Sequence, residues 1–173
     1  MWFLNLRRPQ SNLLHTISDV YRLKSFDDLT PDELMCIYRL RQQVFMIEQN
    51  CLYEDIDGID PVCDHLMQFN DRELIAYLRI VPAGVHLENP AIGRIIVRAS
   101  HRGGTIGPKL IREGISICSS KYSGDDVSIE AQFPLLTYYQ QFGFESVGEV
   151  YIVDDIPHIH MILSNHKLST DES

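Results

Sequence analysis

The strongest constraint on the fold comes from three consecutive apolar runs in the middle of the chain. They read HLMQFN from His65, ELIAYLRIV from Glu73 and AIGRIIV from Ala91, and Asn70 and Asp71 form a tight turn between the first two. Short apolar runs between turn formers are typical of strands, and their near-continuous apolar character indicates burial on both faces. A sheet buried on both faces needs helices above and below it. The sequence therefore predicts a mixed α/β (α+β) fold.

A capping signal marks the first helix, after a predicted strand over 20–26. Thr30 is suited to the N-cap, Pro31 to the first helical position, and Glu33 stands three residues after the cap. This arrangement lets two backbone donors be satisfied reciprocally. Apolar residues then recur at spacings of three and four, and they predict a core-facing stripe of Leu34, Ile37, Leu40, Val44 and Ile47.

The second half of the chain alternates between helical and strand patterns. A helix is predicted over 107–121, with Leu110, Ile111, Gly114, Ile115 and Cys118 facing inward. A strand VSIEAQ follows, then a short helix over 134–142 that Gly143 ends, and then strands over 145–153 and 158–163.

The chain length and the net charge limit the possible classes of function. The 173 residues suit one domain, for which we expect 19–164, with an N-terminal extension over 1–18 and a polar tail over 165–173. The net charge of −9 disfavours nucleic acid as a partner and weakly favours cationic ones. No apolar run reaches the ~20 residues of a membrane span, and MWFLNLRRPQ is unlike a secretory signal. With four scattered cysteines, a cytoplasmic protein without a membrane partner is expected.

Metal and dinucleotide sites are not supported by the residue spacing. Cys51, Cys63 and His65 lack the close cysteine pair of a structural zinc site, so no metal is expected. The acidic run from Glu54 to Asp64 lacks the terminal glutamate of an EF-hand and is interpreted as a solvated or amine-attracting loop. The Gly-x-Gly-x-x-Gly pattern of dinucleotide-binding folds is absent.

The segment IGRIIVRASHRGGTIGPKLI joins a buried strand to a helix through a basic, glycine-bearing turn. Backbone N–H groups at a helix N-terminus, together with the helix dipole, form a site for a diphosphate. Taken alone, this pattern is equally consistent with a tight connection that binds nothing.

The same segment resembles the signature of the GNAT superfamily of N-acetyltransferases, [Arg/Gln]-x-x-Gly-x-[Gly/Ala]. The chain offers Arg102, Gly103, Gly104, Thr105, Ile106 and Gly107, with a threonine where the family usually has glycine. A second motif, Tyr-x-x-x-Gly-Phe, stands at Tyr139, Gly143 and Phe144, in the order that the family uses. The segments VFMIEQNCLYEDIDGID, CDHL and EVYIVDDIPHIHM are similar to the ElaA-like branch.

The resemblance implies a GNAT fold, with a mostly antiparallel sheet of six to seven strands and a splayed strand pair that binds coenzyme A. It implies acetyl-CoA as co-substrate, an amine as acceptor, and a homodimer as one possible assembly. Tyr139 is the implied general acid for the thiolate. The implied cofactor contacts are the backbone of Ile95, Ile96 and Val97, the loop from Arg102 to Gly107, and the side chain of Gln132.

The residue patterns are compatible with more than one candidate for the general base and with structural roles for some of these residues. The candidates for the general base are Glu48, Glu130, Glu149, Asp155 and His158. Histidine is the residue type whose charge changes near neutral pH, which suits this role. Tyr139 could instead pack in the core, and His158 and Gln132 could be structural. A catalytically idle GNAT domain, acting as a coenzyme A sensor or interaction module, is the alternative function.

Overall fold

The computed structural model describes residues 21–50 and 53–165. The predicted N-terminal extension over 1–18, residues 51 and 52, and all but the first residue of the predicted tail lie outside these ranges. The strands are β1 (Tyr21–Ser25), β2 (Asp64–Asn70), β3 (Glu73–Val81), β4 (Ala91–Val97), β5 (Val127–Gln132), β6 (Glu145–Val153) and β7 (Ile156–Leu163). The α-helices are α1 (Pro31–Arg41), α2 (Ile106–Lys121) and α3 (Leu136–Gln140).

The seven strands form one mixed sheet in the order β1-β2-β3-β4-β5-β7-β6. Every neighbouring pair is antiparallel except β4 and β5, which run parallel. This topology confirms the predicted fold class, including the number of strands and the mostly antiparallel pairing.

Helices cover both faces of the sheet, and the inner strand β3 is buried along almost its whole length. On one face, Leu78 and Ile92 pack in a cluster with Leu110 and Ile115 of α2. On the other face, the buried residues form a second cluster that comprises Ile37, Leu40, Val44, Met67, Leu74, Tyr77 and Ile96. The prediction of a doubly covered sheet is therefore confirmed.

The end of the first helix departs from the predicted stripe. After Arg41 the chain continues as a π-helix over Gln42–Glu48, in which Gln49 N donates to Val44 O at 3.0 Å. The wider turn rotates later residues away from the core, and Ile47 is 64% exposed rather than buried. The prediction that Ile47 faces the core is wrong for this reason.

The turn between β6 and β7 is shorter than predicted, because β7 begins at Ile156 rather than at His158. Asp154 and Asp155 adopt φ angles of 49° and 62°, which is the pattern of a two-residue type I′ hairpin. Aspartate tolerates this conformation, so the two acids form the turn themselves.

Among the described residues, no helix is long and apolar enough to span a membrane; α2, with 16 residues, is the longest of the three α-helices.

Candidate active site

A gap opens in the middle of the sheet between the two parallel strands. Within the described chain, β4 and β5 pair only where Ala91 faces Ser128, and Ser128 N donates to Pro90 O at 2.9 Å. Beyond this point β4 stays with β3, whereas β5 stays with β7, so the two strands diverge. A cavity of about 400 Å³ occupies the gap, and its walls include Gly93, Arg94, Ile95, Ile129, Glu130, Ala131 and Gln132.

A bulge in β4 shapes one wall of this cavity. The register with β3 shifts beside Arg94, whose φ of 50° lies in the left-handed region. This conformation costs a non-glycine residue about 1–2 kcal/mol. The side chain of Arg94 donates to Asp55 Oδ1 at 2.7 Å and to Asp57 Oδ2 at 3.2 Å. These contacts hold the bulge, and Ile95 follows it directly along the strand.

The carboxylates that hold Arg94 belong to a larger buried ion-pair network. Arg41 is fully buried and donates to Asp55 at 2.8 Å and to both oxygens of Asp60 at 2.8 and 2.9 Å. Arg79 donates to Asp57 at 2.6 Å and to Asp60 at 2.7 Å. Asp55 and Asp60 are 6% and 1% exposed. The interpretation of the acidic run as a solvated loop is therefore wrong at these two positions.

The network keeps the carboxylates of Asp57 and Asp60 ionised. Burial alone would raise the pKa of Asp57, but the hydrogen bonds and charges of Arg79 outweigh burial and lower that pKa to about 2. The pKa of Asp60 is lowered in the same way, against burial, by Arg79 and Arg41. Sequence reasoning missed this network. The sequence contains one signal for it: a single arginine stands in each of two apolar strands, Arg79 in β3 and Arg94 in β4. A buried arginine needs an acidic partner.

The predicted phosphate loop lies between β4 and α2. Gly103 has a φ of 79°, which favours glycine, whereas Thr105 has an ordinary φ of −90° and accommodates its side chain without strain. The first hydrogen bond of α2 runs from Lys109 N to Thr105 O at 3.0 Å. The amides that precede Lys109 at this helix start, including Ile106 and Gly107, therefore have no partner inside the helix.

Arg102 ties the start of this loop to two neighbouring elements. Its Nε donates to Val97 O at 2.8 Å, and its guanidinium pairs with Glu48, with Nη2 at 3.0 Å from Oε2. The side chain thus joins the phosphate loop to the end of β4 and to the π-helical segment.

The predicted acid, Tyr139, lies on the wall of the same cavity. Its side chain is 8% exposed, and its ring packs edge-on against Phe144 with centroids 6.3 Å apart. Burial, with a smaller effect of Tyr138, raises the pKa of Tyr139 to about 12. The phenol therefore keeps its proton at neutral pH, as a general acid must.

Helix α3 brings the two recognised motifs together. A Cβ atom added to Gly107 would lie 3.3 Å from Tyr138 Oη and 3.6 Å from Val97 Cγ2. Tyr138 is the neighbour of Tyr139 in sequence, so the start of α2, the end of β4 and the Tyr139 helix meet at one place.

The two other polar candidates also line the cavity. Gln132 Nε2 donates weakly to Gln49 Oε1 at 3.4 Å. His158 has its Nδ1 2.9 Å from Ile156 O, and its ring stacks on Tyr151 with centroids 6.2 Å apart. Because a carbonyl only accepts, Nδ1 carries the proton and Nε2 of neutral His158 keeps a lone pair.

Ile96, Val97 and His65 lie away from the polar wall of the cavity. The backbone of Ile96 and Val97 pairs with β3, and the Ile96 side chain packs in the cluster beneath α1. His65 is buried, with Nδ1 2.8 Å from Tyr77 Oη and Nε2 3.2 Å from Asp60 O. Within residues 21–50 and 53–165, no group of three or more possible ligands could hold a metal ion.

Comparison with known proteins identifies this architecture. The family model of the acetyltransferase (GNAT) domain matches residues 26–165. Protein ElaA of Escherichia coli is 40% identical over 136 residues, which cover 78% of this chain and 89% of ElaA. The crystal structure of Escherichia coli ElaA superposes with a TM-score of 0.79 at 36% identity, covering 83% of this chain and 98% of that one.

Two further solved structures extend the comparison. An acyl-CoA N-acyltransferase from Pseudomonas aeruginosa has a TM-score of 0.80 at 37% identity and covers 83% of this chain and 98% of its own. An aminoglycoside 6′-N-acetyltransferase complexed with coenzyme A has a TM-score of 0.60 at 17% identity, covering 82% and 95%, and is similar in fold alone. The chain therefore belongs to the GNAT acetyltransferase family, in its ElaA-like branch, and is an acyltransferase.

Proposed function

We propose that the protein transfers an acetyl group from acetyl-CoA to a primary amine by direct attack in a ternary complex. The observation that carries the proposal is the gap between β4 and β5, with the phosphate loop beyond the end of β4 and Tyr139 on the cavity wall. The relatives support it: one is a coenzyme A complex, and another is an acyl-CoA N-acyltransferase.

In this proposal the main chain holds the cofactor. The amides of Gly103, Gly104, Thr105, Ile106 and Gly107 bind the diphosphate, helped by the positive end of the α2 dipole and by the adjacent Arg102. The pantetheine arm lies in the gap, against the backbone of Ile95 to Val97 on one side and Gln132 on the other. The amide of Ile95, placed by the Arg94 bulge, faces the developing oxyanion.

Two side chains take part in the chemistry. The amine attacks the thioester carbonyl, the C–S bond breaks, and Tyr139 gives its proton to the departing thiolate. The phenolate recovers a proton from the nitrogen of the newly formed amide. His158 accepts a hydrogen bond from the acceptor nitrogen at Nε2, because its Nδ1 is committed to the Ile156 carbonyl.

Replacement of the acid tests this assignment. Tyr139→Phe should lower the single-turnover rate of acetyl transfer roughly 10²- to 10⁴-fold, because the thiolate then leaves without a proton. Binding of acetyl-CoA, measured by calorimetry, should be unchanged. Tyr138→Phe is the matched control, since it removes the neighbouring phenol.

Two outcomes would count against the proposal. Full single-turnover activity of Tyr139→Phe would remove Tyr139 from the mechanism. A wild-type protein that binds acetyl-CoA but acetylates none of a broad panel of amines would favour the idle coenzyme A-binding domain.

The homodimer is also part of the proposal. Strand β6 forms an edge of the sheet, and its exposed side chains include Val147, Val150 and Ile152. An exposed apolar edge is a surface that a second copy can pair with. Analytical ultracentrifugation of the wild type and of Ile152→Lys tests this arrangement, and a monomeric wild type would contradict it.

A further inference from the structure

Three side chains from different parts of the fold form a hydrogen-bonded group on the cavity wall. His86 Nε2, from the connection between β3 and β4, lies 2.5 Å from Glu130 Oε2. Tyr151 Oη, from β6, donates to Glu130 Oε1 at 2.7 Å. Each oxygen of the Glu130 carboxylate therefore has its own partner, and all three residues line the cavity that also contains Tyr139.

The protonation of this group follows from its contacts. Burial alone would raise the pKa of Glu130, but the hydrogen bonds from Tyr151 and His86 and the nearby histidine charges lower it. The carboxylate is thus ionised and acts only as an acceptor. The proton in the His86 contact must then be on Nε2, which leaves the lone pair of the neutral ring on Nδ1.

Other titratable groups surround the three residues. His160, on β7, lies across from Glu130 in the sheet, and its Nε2 is 3.2 Å from Ser128 Oγ. His158 stacks on Tyr151. The other charged or titratable side chains on the cavity wall are Tyr53, Asp57, Arg79, Arg94, Tyr139 and Asp154. Of these, Asp57 is already paired with Arg79 and Arg94.

The acyl transfer proposed above needs a proton acceptor that neither Tyr139 nor the backbone supplies. A primary alkylamine has a pKa near that of lysine, about 10.4, so it reaches the protein as an ammonium ion. Its nitrogen has no lone pair for attack until one proton is removed.

Resting on that proposed function, we propose that His86 is the base that takes this proton, and that Glu130 is the positioning residue that orients the ring and stabilises the imidazolium. The proton moves from the ammonium nitrogen to His86 Nδ1, and the freed electron pair attacks the thioester carbon. Since the His86 side chain is 53% exposed, the imidazolium returns its proton to solvent. One proton is released per transfer, which balances an ammonium substrate and a thiol product.

His86 is better suited than His158 to take up the proton. Both rings keep a lone pair on one nitrogen. Among residues 21–50 and 53–165, however, an ionised carboxylate contacts His86 and none contacts His158, and such a carboxylate stabilises the positive charge that a base acquires. The acceptor class that follows is a cationic primary alkylamine.

The experiment compares two probes whose need for a base differs. Propylamine is an ammonium ion at pH 7, whereas hydroxylamine is largely neutral there and needs no base before attack. In His86→Gln, the amide can still donate to Glu130 but cannot take up a proton. Its single-turnover rate with propylamine should fall roughly 10²-fold or more, with a much smaller change for hydroxylamine and none in acetyl-CoA affinity.

Further variants separate the roles. Tyr139→Phe should slow both probes alike, because the thiolate leaves in both reactions, and His158→Gln should also act on both. Glu130→Gln should follow His86→Gln, with a selective loss for propylamine. A thermal unfolding midpoint equal to that of the wild type shows that each variant is folded.

The inference is overturned if His86→Gln leaves the ratio of the two rates unchanged, or if that ratio falls only in His158→Gln. A wild-type protein that acetylates hydroxylamine but not propylamine would also contradict it. Acetylation of neither probe, despite acetyl-CoA binding, would count against the proposed function itself and remove the basis of the inference.

Discussion

Asp60 is the least exposed carboxylate in the described chain. It is 1% exposed and accepts hydrogen bonds from both Arg41 and Arg79. Burying three charges together is costly in itself, so the network is not simply a source of stability. Removing the charge of Asp60 alone is strongly destabilising, because two guanidinium groups then remain buried with their charge only partly compensated.

We therefore expect Asp60→Asn to lower the free energy of unfolding by roughly 3–5 kcal/mol, measured by urea denaturation at pH 7. The matched control is Glu73→Gln, which makes the same chemical change in a surface pair with Arg98 whose Nε–Oε1 distance is 3.2 Å. Glu73 is 51% exposed, so this change should cost at most about 1 kcal/mol. Equal costs for the two variants would show that the buried network has no special role.

The start of α1 is held by local contacts that the sequence announces. Thr30 Oγ1 accepts from Glu33 N at 3.2 Å, and Glu33 Oε2 accepts from Thr30 N at 2.9 Å. This capping box confirms the predicted helix start. Thr30→Ala should destabilise the protein by about 1 kcal/mol, measured by thermal unfolding. Thr137→Ala, at an exposed position of α3, is the control, and an equal effect of the two changes would contradict the assigned cap.

Elements defined by short-range patterns could be predicted, and those defined by distant contacts could not. Every predicted inward position of α2, from Leu110 to Cys118, is buried, because a period of 3.6 is a local property. The π-helical segment after Arg41 left no mark in that pattern. It is recognisable only in the structure, where Arg41, the last residue of α1, and Val44, inside the π-helical segment, are both buried.

The whole molecule combines an overall acidic charge with arginines placed inside the fold. Sequence reasoning could single out the motifs from Arg102 to Gly107 and at Tyr139, because they resemble a family signature. It missed the pairing of His86 with Glu130 and the arginine network, because the partners are 14 to 44 residues apart in the chain. Pairings at such separations depend on strand register, which only the three-dimensional structure supplies.

Acid should destabilise the protein in two stages. Burial lowers the pKa of His65, so its neutral form stabilises the fold above about 6.5, and this contribution is lost as the pH falls below that value. Asp57 has a pKa of about 2 in the fold against about 3.9 unfolded, and the pKa of Asp60 is also lowered. Their contribution is present above about pH 4 and is lost as the pH falls towards 2.

Urea denaturation at pH 7, 5 and 3 measures these stages. The free energy of unfolding should fall between pH 7 and 5 and fall again between pH 5 and 3. The second fall should be smaller in Asp60→Asn, which has one fewer titrating carboxylate. A free energy that is constant from pH 7 to 3 would contradict the assigned pKa directions.

The proposed reaction depends on where the cofactor binds. The most direct test is a crystal structure of the wild-type protein grown with coenzyme A. We predict that the diphosphate lies within hydrogen-bond distance of the amides of Gly103 to Gly107, and that the pantetheine arm lies between β4 and β5 with its sulfur beside Tyr139. Coenzyme A bound elsewhere, with the gap between β4 and β5 unused, would contradict the proposed cofactor site.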